Sequence, residues 1–278
     1  MFGTNSEANS LSMEEREMLL DELVAAGVDP SRMMPGTGCC SIMETVKLTA
    51  QAVEHGCGGV LMLPPFYYKD VSEEGLYRYF SEVVQRVGDA RLKIYLYHIP
   101  PVAVVGITTG LVERLLAAYP NAIAGMKDSS GDWNKTKTFL DAFAKSGFDV
   151  FVGSEAFLLA GMRNGGVGTI SATANVNPAA IHKLYTEWKN PDADKQQAKL
   201  SVTRDVFSRK YLMIAALKQA IAIYTDDPPW AKVRPPLVEL TPEQAKTLAA
   251  ELKAISFTMP GWGEFPKDGW RKGETLDG

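Results

Sequence analysis

Short apolar segments alternate with helical patterns along most of this sequence, and this alternation limits the possible folds more than any other feature. The apolar segments end in turn residues and cover residues 58–65, 92–97, 122–127, 148–152 and 166–171. Segments that are apolar throughout are typical of parallel strands, which are buried on both faces. Because they recur at intervals of about 25 to 30 residues, the pattern predicts repeated βα units. At 278 residues, it predicts an α/β protein with a (β/α)8 barrel.

An open, doubly wound sheet is the alternative fold, since it also separates parallel strands by helices. Open sheets that bind dinucleotides carry a GxGxxG motif followed by an acidic residue. The sequence has no such pattern. The barrel is therefore the preferred prediction.

Helices are predicted between the strands and again after the last one. Ser12 and Glu15 have the spacing of a capping box at the start of the first helix. After residue 178 the strand patterns stop, and helices are predicted at residues 179–188, 194–224 and 242–255. We therefore divide the chain into a barrel region, a C-terminal helical region and an irregular tail, which cover residues 1–178, 179–256 and 257–278.

Composition excludes several functional classes. The formal charge of −4 gives no basic footprint for nucleic acid, and no apolar run is long enough to span a bilayer. The first residues lack the basic and apolar regions of a signal peptide. The three cysteines and three histidines show no metal-binding or disulfide spacing. These features predict a cytoplasmic protein without a metal or cofactor and without a membrane or nucleic-acid partner.

Candidate catalytic residues lie where the predicted strands end, because the active site of a (β/α)8 barrel forms there. These positions hold Thr4, Glu7, Thr37, Tyr67 or Tyr68, Tyr97, His98, Lys127, Gly153 and Ile170. A desolvated lysine amine can attack a carbonyl, and neighbouring hydroxyl groups can relay protons. The set therefore indicates Schiff-base chemistry on a keto acid. The segment around Lys127 alone also allows a lysine that only marks the strand's exit to solvent.

Several motifs in order resemble the dihydrodipicolinate synthase and N-acetylneuraminate lyase family. They are GTNSE at residues 3–7, LS and ER at 11–12 and 15–16, PPFYY at 64–68, YHIP at 97–100, GMKDSSGD at 125–132, GGVGTIS at 165–171, and RPPL at 234–237. The resemblance runs from Gly3 to about residue 255. It implies a pyruvate-dependent class I aldolase or lyase that forms a lysine Schiff base and needs no cofactor.

The resemblance also implies roles for individual residues. Lys127 would form the imine with pyruvate or another 2-keto acid. Tyr97 would move the proton, linked to Thr4 and to a tyrosine from a neighbouring subunit, which is Tyr67 or, with a shifted loop, Tyr68. The remaining implied binding residues are Thr4 and Asn5 for the keto-acid carboxylate, Gly153 and Ile170 for the pocket wall, and His98, which either faces the substrate or lies behind the site. The implied partners are pyruvate, an aldehyde-type second substrate and further copies of the chain in a dimer or tetramer.

Three departures from the family pattern limit the prediction. Val102 stands where synthases carry an arginine, which argues against a true dihydrodipicolinate synthase and leaves the second substrate open. A 2-keto-3-deoxy sugar acid aldolase or dehydratase, a hydroxy-oxoglutarate-type aldolase and a synthase all fit the resemblance. Ser6 replaces a glycine, which fits only if the backbone φ is negative there. The first strand, the first helix and most of the second strand of the family are missing, so we expect a reading frame that begins further upstream. A truncated fragment or a keto-acid-binding protein without turnover is the alternative of another class.

Overall fold

A parallel sheet with the strand order β1-β2-β3-β4-β5 forms the centre of the computed structural model, which describes residues 1–259. The strands are β1 (Val60–Met62), β2 (Ile94–His98), β3 (Ile123–Asp128), β4 (Asp149–Val152) and β5 (Gly168–Thr169). Before β1, Gly36 forms one isolated parallel bridge with Leu61 of β1. The strands are parallel and mostly buried, which explains why their sequences are apolar rather than alternating.

The register of the sheet brings the candidate residues of neighbouring strands side by side. Tyr97 of β2 pairs with Lys127 of β3, which in turn pairs with Phe151 of β4. Successive side chains of a strand point to opposite faces of the sheet. Tyr97 and His98 therefore point to opposite faces.

Helices follow the strands along the chain. Those before β5 are α1 (Met13–Ala25), α2 (Ile42–Glu54), α3 (Glu73–Val87), α4 (Pro100–Ala103), α5 (Thr109–Ala118), α6 (Trp133–Phe143) and α7 (Leu158–Arg163). The predicted capping box is present at α1, where the Glu15 amide donates to Ser12 Oγ at 3.2 Å and the Ser12 amide donates to the Glu15 carboxylate at 2.9 Å. No helix of residues 1–259 is both long and apolar enough to cross a membrane.

Four α-helices make up most of the described region after β5. They are α8 (Pro178–Glu187), α9 (Ala193–Ser208), α10 (Met213–Thr225) and α11 (Pro242–Ala254). The single helical stretch predicted at residues 194–224 is thus two helices. Helix α10 is the most buried, and its Leu217 and Ile221 join Leu248 of α11 in one apolar cluster. Phe257 and Met259 complete that cluster, whereas residues 260–278 of the predicted tail lie outside the described part of the chain.

Candidate active site

Lys127 lies at the carboxyl end of β3 and is only 6% exposed. Its Nζ donates a hydrogen bond to Tyr97 Oη at 3.1 Å. The same Nζ lies 4.2 Å from the centre of the Tyr97 ring, close enough for a cation–π contact when the amine is charged. Tyr97 is 3% exposed, so both partners are held in a desolvated environment. A buried amine beside a phenol can act as a nucleophile with an adjacent proton carrier.

Thr4 extends this pair into a chain of three polar groups. Its Oγ1 lies 3.2 Å from Tyr97 Oη, and either hydroxyl can donate. Thr4 begins a 3-10 turn that ends at Glu7, whose φ of 54° is left-handed. The Glu7 carboxylate accepts from Lys218 Nζ at 2.7 Å and from the Arg234 amide at 2.8 Å. These bonds tie the turn to helix α10 and the segment after it, which fixes Thr4 beside Tyr97.

The turn tolerates Ser6 in place of the glycine of the family pattern. The left-handed conformation falls on Glu7 and not on Ser6, so a serine fits without backbone strain. The Asn5 side chain is half-buried and makes no hydrogen bond within residues 1–259. Its amide group therefore remains free to donate to a ligand.

Gly153 and Ile170 follow β4 and β5 at the same edge of the sheet. The Gly153 amide donates to the Asp128 carbonyl at 2.6 Å, and the Ile170 amide donates to the Val152 carbonyl at 3.0 Å. A Cβ at Gly153 would lie 2.0 Å from Ser129 Oγ, so no larger residue fits there. Both amides are used within the fold, which leaves the carbonyl groups as the polar backbone atoms available to a ligand.

His98 does not join the Lys127 group. Its Nδ1 accepts from the Ile107 amide at 2.8 Å, and its ring packs edge-on against Phe139 of α6 with the ring centres 5.5 Å apart. Nε2 lies 3.8 Å from Asp128 Oδ1. Burial lowers the pKa of His98, although the Asp128 carboxylate opposes this. Of the two placements that the sequence left open for His98, the structure therefore has the one behind the Lys127 group.

Tyr67 and Tyr68 also lie apart from Lys127 within one chain. Each is 72% exposed in the loop after β1, and their rings meet edge to face with centres 5.2 Å apart. The preceding Phe66 packs against an apolar cluster that contains Tyr97 and Ile99. The loop is therefore anchored next to Tyr97, while its two tyrosines are exposed to solvent.

One buried arginine and one ion pair of a buried glutamate were not found from the sequence. Arg16 of α1 is 5% exposed, donates to the Gly36 carbonyl at 2.5 Å, and lines a small cavity with Thr4 and Tyr97. Glu155, after β4, is 1% exposed and pairs with Arg204 of α9 at 2.9 Å. The ER motif at residues 15–16 could have pointed to Arg16. No local pattern indicates the pairing of Glu155 with Arg204, because the two residues are 49 positions apart. Within residues 1–259 no group of three or more acidic, cysteine or histidine side chains could hold a metal.

Comparison with known sequences identifies the family. Residues 1–255 match the model of the dihydrodipicolinate synthetase family. An uncharacterized DapA-like lyase of Chloroflexus aurantiacus is 32% identical over 256 residues, which cover 91% of this chain and 83% of that protein. The 4-hydroxy-tetrahydrodipicolinate synthase of Thermus thermophilus is 42% identical over 187 residues, which cover 66% of this chain and 59% of that protein.

Solved structures agree with the sequence comparison. Dihydrodipicolinate synthase from Agrobacterium tumefaciens has a TM-score of 0.83 at 32% identity, and the match covers 92% of this chain and 86% of the synthase chain. YagE, a prophage protein of the same family from E. coli, was solved in complex with pyruvate; its TM-score is 0.82 at 26% identity, with the same coverage. These neighbours confirm the predicted α/β fold, a (β/α)8 barrel with a C-terminal helical region. This chain therefore belongs to the dihydrodipicolinate synthetase family of lyases.

Proposed function

We propose that this enzyme is a class I aldolase or lyase that joins Lys127 to pyruvate, or to another 2-keto acid, as a Schiff base. The observation that carries the proposal is the unbroken chain from Lys127 Nζ to Tyr97 Oη at 3.1 Å and on to Thr4 Oγ1 at 3.2 Å. The pyruvate complex of YagE, a structural neighbour at a TM-score of 0.82, supports the choice of keto acid.

The chemistry assigns a distinct task to each group. The neutral Lys127 amine attacks C2 of the keto acid, and the resulting carbinolamine loses water to give the imine. Tyr97 carries the protons that these steps release and consume, since its hydroxyl contacts Nζ directly. The imine then accepts the electron pair from C3–H cleavage, and the C3 proton leaves through the Tyr97 relay. The resulting enamine carbon attacks an aldehyde, whose oxygen takes up a proton, and hydrolysis of the product imine releases Lys127. The same steps in reverse break a carbon–carbon bond.

The turn that holds Thr4 is our proposed site for the keto-acid carboxylate. The unbonded Asn5 side chain and the Thr4 hydroxyl are the donors that it offers. Gly153 and Ile170 form the opposite wall with their backbone. His98 contributes from behind, because its bond to the Ile107 amide fixes the loop that begins next to Tyr97.

The second substrate is proposed to be an aldehyde without a distal carboxylate. Val102, where synthases carry an arginine, is 62% exposed in the short helix α4 after β2, and Val104, directly after that helix, is 58% exposed. Neither side chain can pair with an anion. This favours a 2-keto-3-deoxy sugar acid aldolase or dehydratase. A true dihydrodipicolinate synthase is the second candidate, because several relatives are synthases.

Deuterium exchange at C3 of pyruvate tests the proposal against a protein that binds keto acids without turnover. The enzyme is incubated with pyruvate in D2O, and the methyl signal is followed by proton NMR. Imine and enamine formation are expected to replace the methyl protons by deuterium. Binding without exchange in folded protein would contradict the proposed reaction and support the non-catalytic alternative.

We also propose a homo-oligomer, a dimer or tetramer in the cytoplasm, in which Tyr67 enters the site of a second copy. Tyr67 is 72% exposed, and the preceding residue, Phe66, packs against the apolar cluster that contains Tyr97. Both observations support this assignment. A phenol left in solvent within one chain gains a partner when the second copy covers it.

Tyr67→Phe is expected to lower turnover by about tenfold or more, because it removes one hydroxyl of the proton relay. Tyr68→Phe is the matched control and is expected to retain turnover within about twofold. Steady-state rates at saturating pyruvate measure both variants. A loss confined to Tyr68→Phe would assign the relay to Tyr68, and no loss in either variant would contradict a tyrosine that crosses between subunits.

A further inference from the structure

A buried polar cluster lies beside the Lys127 chain and has no part in the proposed chemistry. Its centre is Glu155, which is 1% exposed. Arg204 Nη1 donates to Glu155 Oε2 at 2.9 Å and to Ser171 Oγ at 3.2 Å. The hydroxyls of Ser171 and Thr173 each donate to one of the two Glu155 carboxylate oxygens. We call these four residues and Gln197 the Glu155 cluster.

The cluster connects helix α9 to the loops after two strands. Glu155 follows β4, whereas Ser171 and Thr173 follow β5. Gln197 of α9 donates from Nε2 to the Glu155 carbonyl at 2.9 Å. Its Oε1 accepts from the Leu159 amide at 2.9 Å. Two side chains of one helix, Gln197 and Arg204, therefore fix both loops from behind.

Both loops begin next to Gly153 and Ile170, the residues proposed above as the wall of the lysine pocket. Gly153 stands two residues before Glu155, and its amide is bonded to the carbonyl of Asp128, the residue after Lys127. Ile170 immediately precedes Ser171, and its amide is bonded to the Val152 carbonyl. A shift of the cluster therefore moves the backbone of Gly153 and Ile170 relative to Lys127.

The energetics of the cluster favour a single arrangement. A buried carboxylate is costly unless it is paired and hydrogen-bonded, and Glu155 has a cation and two hydroxyls as partners. Removing the cation leaves an uncompensated buried charge, so the loops would have to rearrange to reach water. A buried ion pair adds little to the net free energy of folding, but its geometry restricts where the two loops can lie.

We propose that Arg204 and Glu155 are positioning residues, which hold the Gly153 and Ile170 segments at the spacing that the keto acid requires. The C-terminal helical region would thus complete the substrate pocket without touching the substrate. This inference rests on the proposed function of Lys127 and extends it to α9.

Arg204→Met tests the proposal, with Arg209→Met, directly after the end of α9, as a matched control. Arg209 pairs with Asp205 at the surface and its side chain is 71% exposed. In the C3 exchange assay, Arg204→Met is expected to raise the KM for pyruvate about tenfold with kcat within about threefold, since the pocket is misplaced while Lys127 and Tyr97 remain. Arg204→Lys is expected to recover most of the affinity, and Arg209→Met to behave as wild type. An unchanged KM in folded Arg204→Met, or an equal rise in Arg209→Met, would overturn the proposal.

Hydrogen exchange separates this inference from the proposed function. Peptides that cover residues 150–158 and 166–176 are expected to exchange faster in Arg204→Met than in Arg209→Met, whether or not pyruvate reacts. Wild-type protein that leaves pyruvate unchanged would refute the function alone, whereas unchanged amide exchange in Arg204→Met would refute the positioning role. If Arg204→Met does not fold, Gln197→Ala replaces it, because that variant keeps the ion pair. Gln197→Ala is then expected to raise KM about threefold, and an unchanged KM would overturn the inference.

Discussion

Lys127→Ala is expected to abolish turnover, with a loss of about 10⁵-fold or more, because no other group takes over as the nucleophile. The Lys127 amine is the group at the carboxyl end of β3 that contacts the Tyr97 hydroxyl, at 3.1 Å. Rates of C3 exchange and of carbon–carbon bond formation measure the effect. The exchange assay is the stricter of the two, since it needs no second substrate.

Lys127→Met is the control for packing, because it keeps most of the unbranched apolar stem of the lysine side chain. Both variants are expected to remain folded, since each removes a buried amine, which is costly to desolvate, and Lys127→Met also keeps most of the side-chain volume. Thermal unfolding verifies this. Full activity in either variant would show that the mechanism is wrong.

Tyr97→Phe is expected to retain slow imine formation and to lose turnover by about 10²- to 10⁴-fold, the usual contribution of a positioned proton carrier. The change removes only the hydroxyl, which bonds Lys127 Nζ at 3.1 Å and Thr4 Oγ1 at 3.2 Å. The amine can still attack pyruvate, but the later proton transfers lose their carrier. Stopped-flow measurement of imine formation, compared with steady-state turnover, separates the two steps.

Tyr95→Phe is the matched control for that experiment. Tyr95 lies two residues earlier on β2, points to the same face, and donates to Asp149 Oδ2 at 3.0 Å. Burial and the Asp149 carboxylate raise the pKa of Tyr95 to about 12, so this phenol stays protonated at neutral pH. Tyr95→Phe is expected to cost about 1 kcal/mol of stability and little turnover. Equal losses in the two variants would contradict a specific role for Tyr97.

The regular part of the fold could be predicted from local patterns. Helices α3 and α5 lie between strands, as predicted, because apolar periodicity and the caps Ser72 and Thr108 define them locally. The break between α9 and α10 was missed, since residues 209–212 carry neither proline nor glycine. The four-residue helix α4 was missed as well, because it is too short to show periodicity.

The candidate site also has a part that local patterns predict and a part that depends on packing. Lys127 and Tyr97 could be chosen because each ends an apolar strand, and the register of β2 and β3 then makes them neighbours. The orientation of His98 depends on its bond to the Ile107 amide, which a motif does not encode. The pairing of Glu155 with Arg204 depends on how α9 packs against the barrel, so it could not be derived from spacing along the chain.

Borohydride trapping tests the central claim most directly. The protein is incubated with pyruvate, reduced with borohydride, digested, and analysed by peptide mass spectrometry. We predict a reduced pyruvate adduct on Lys127 in wild type, and none in Lys127→Ala. Folded wild-type protein without an adduct, or with the adduct on another lysine, would contradict the account.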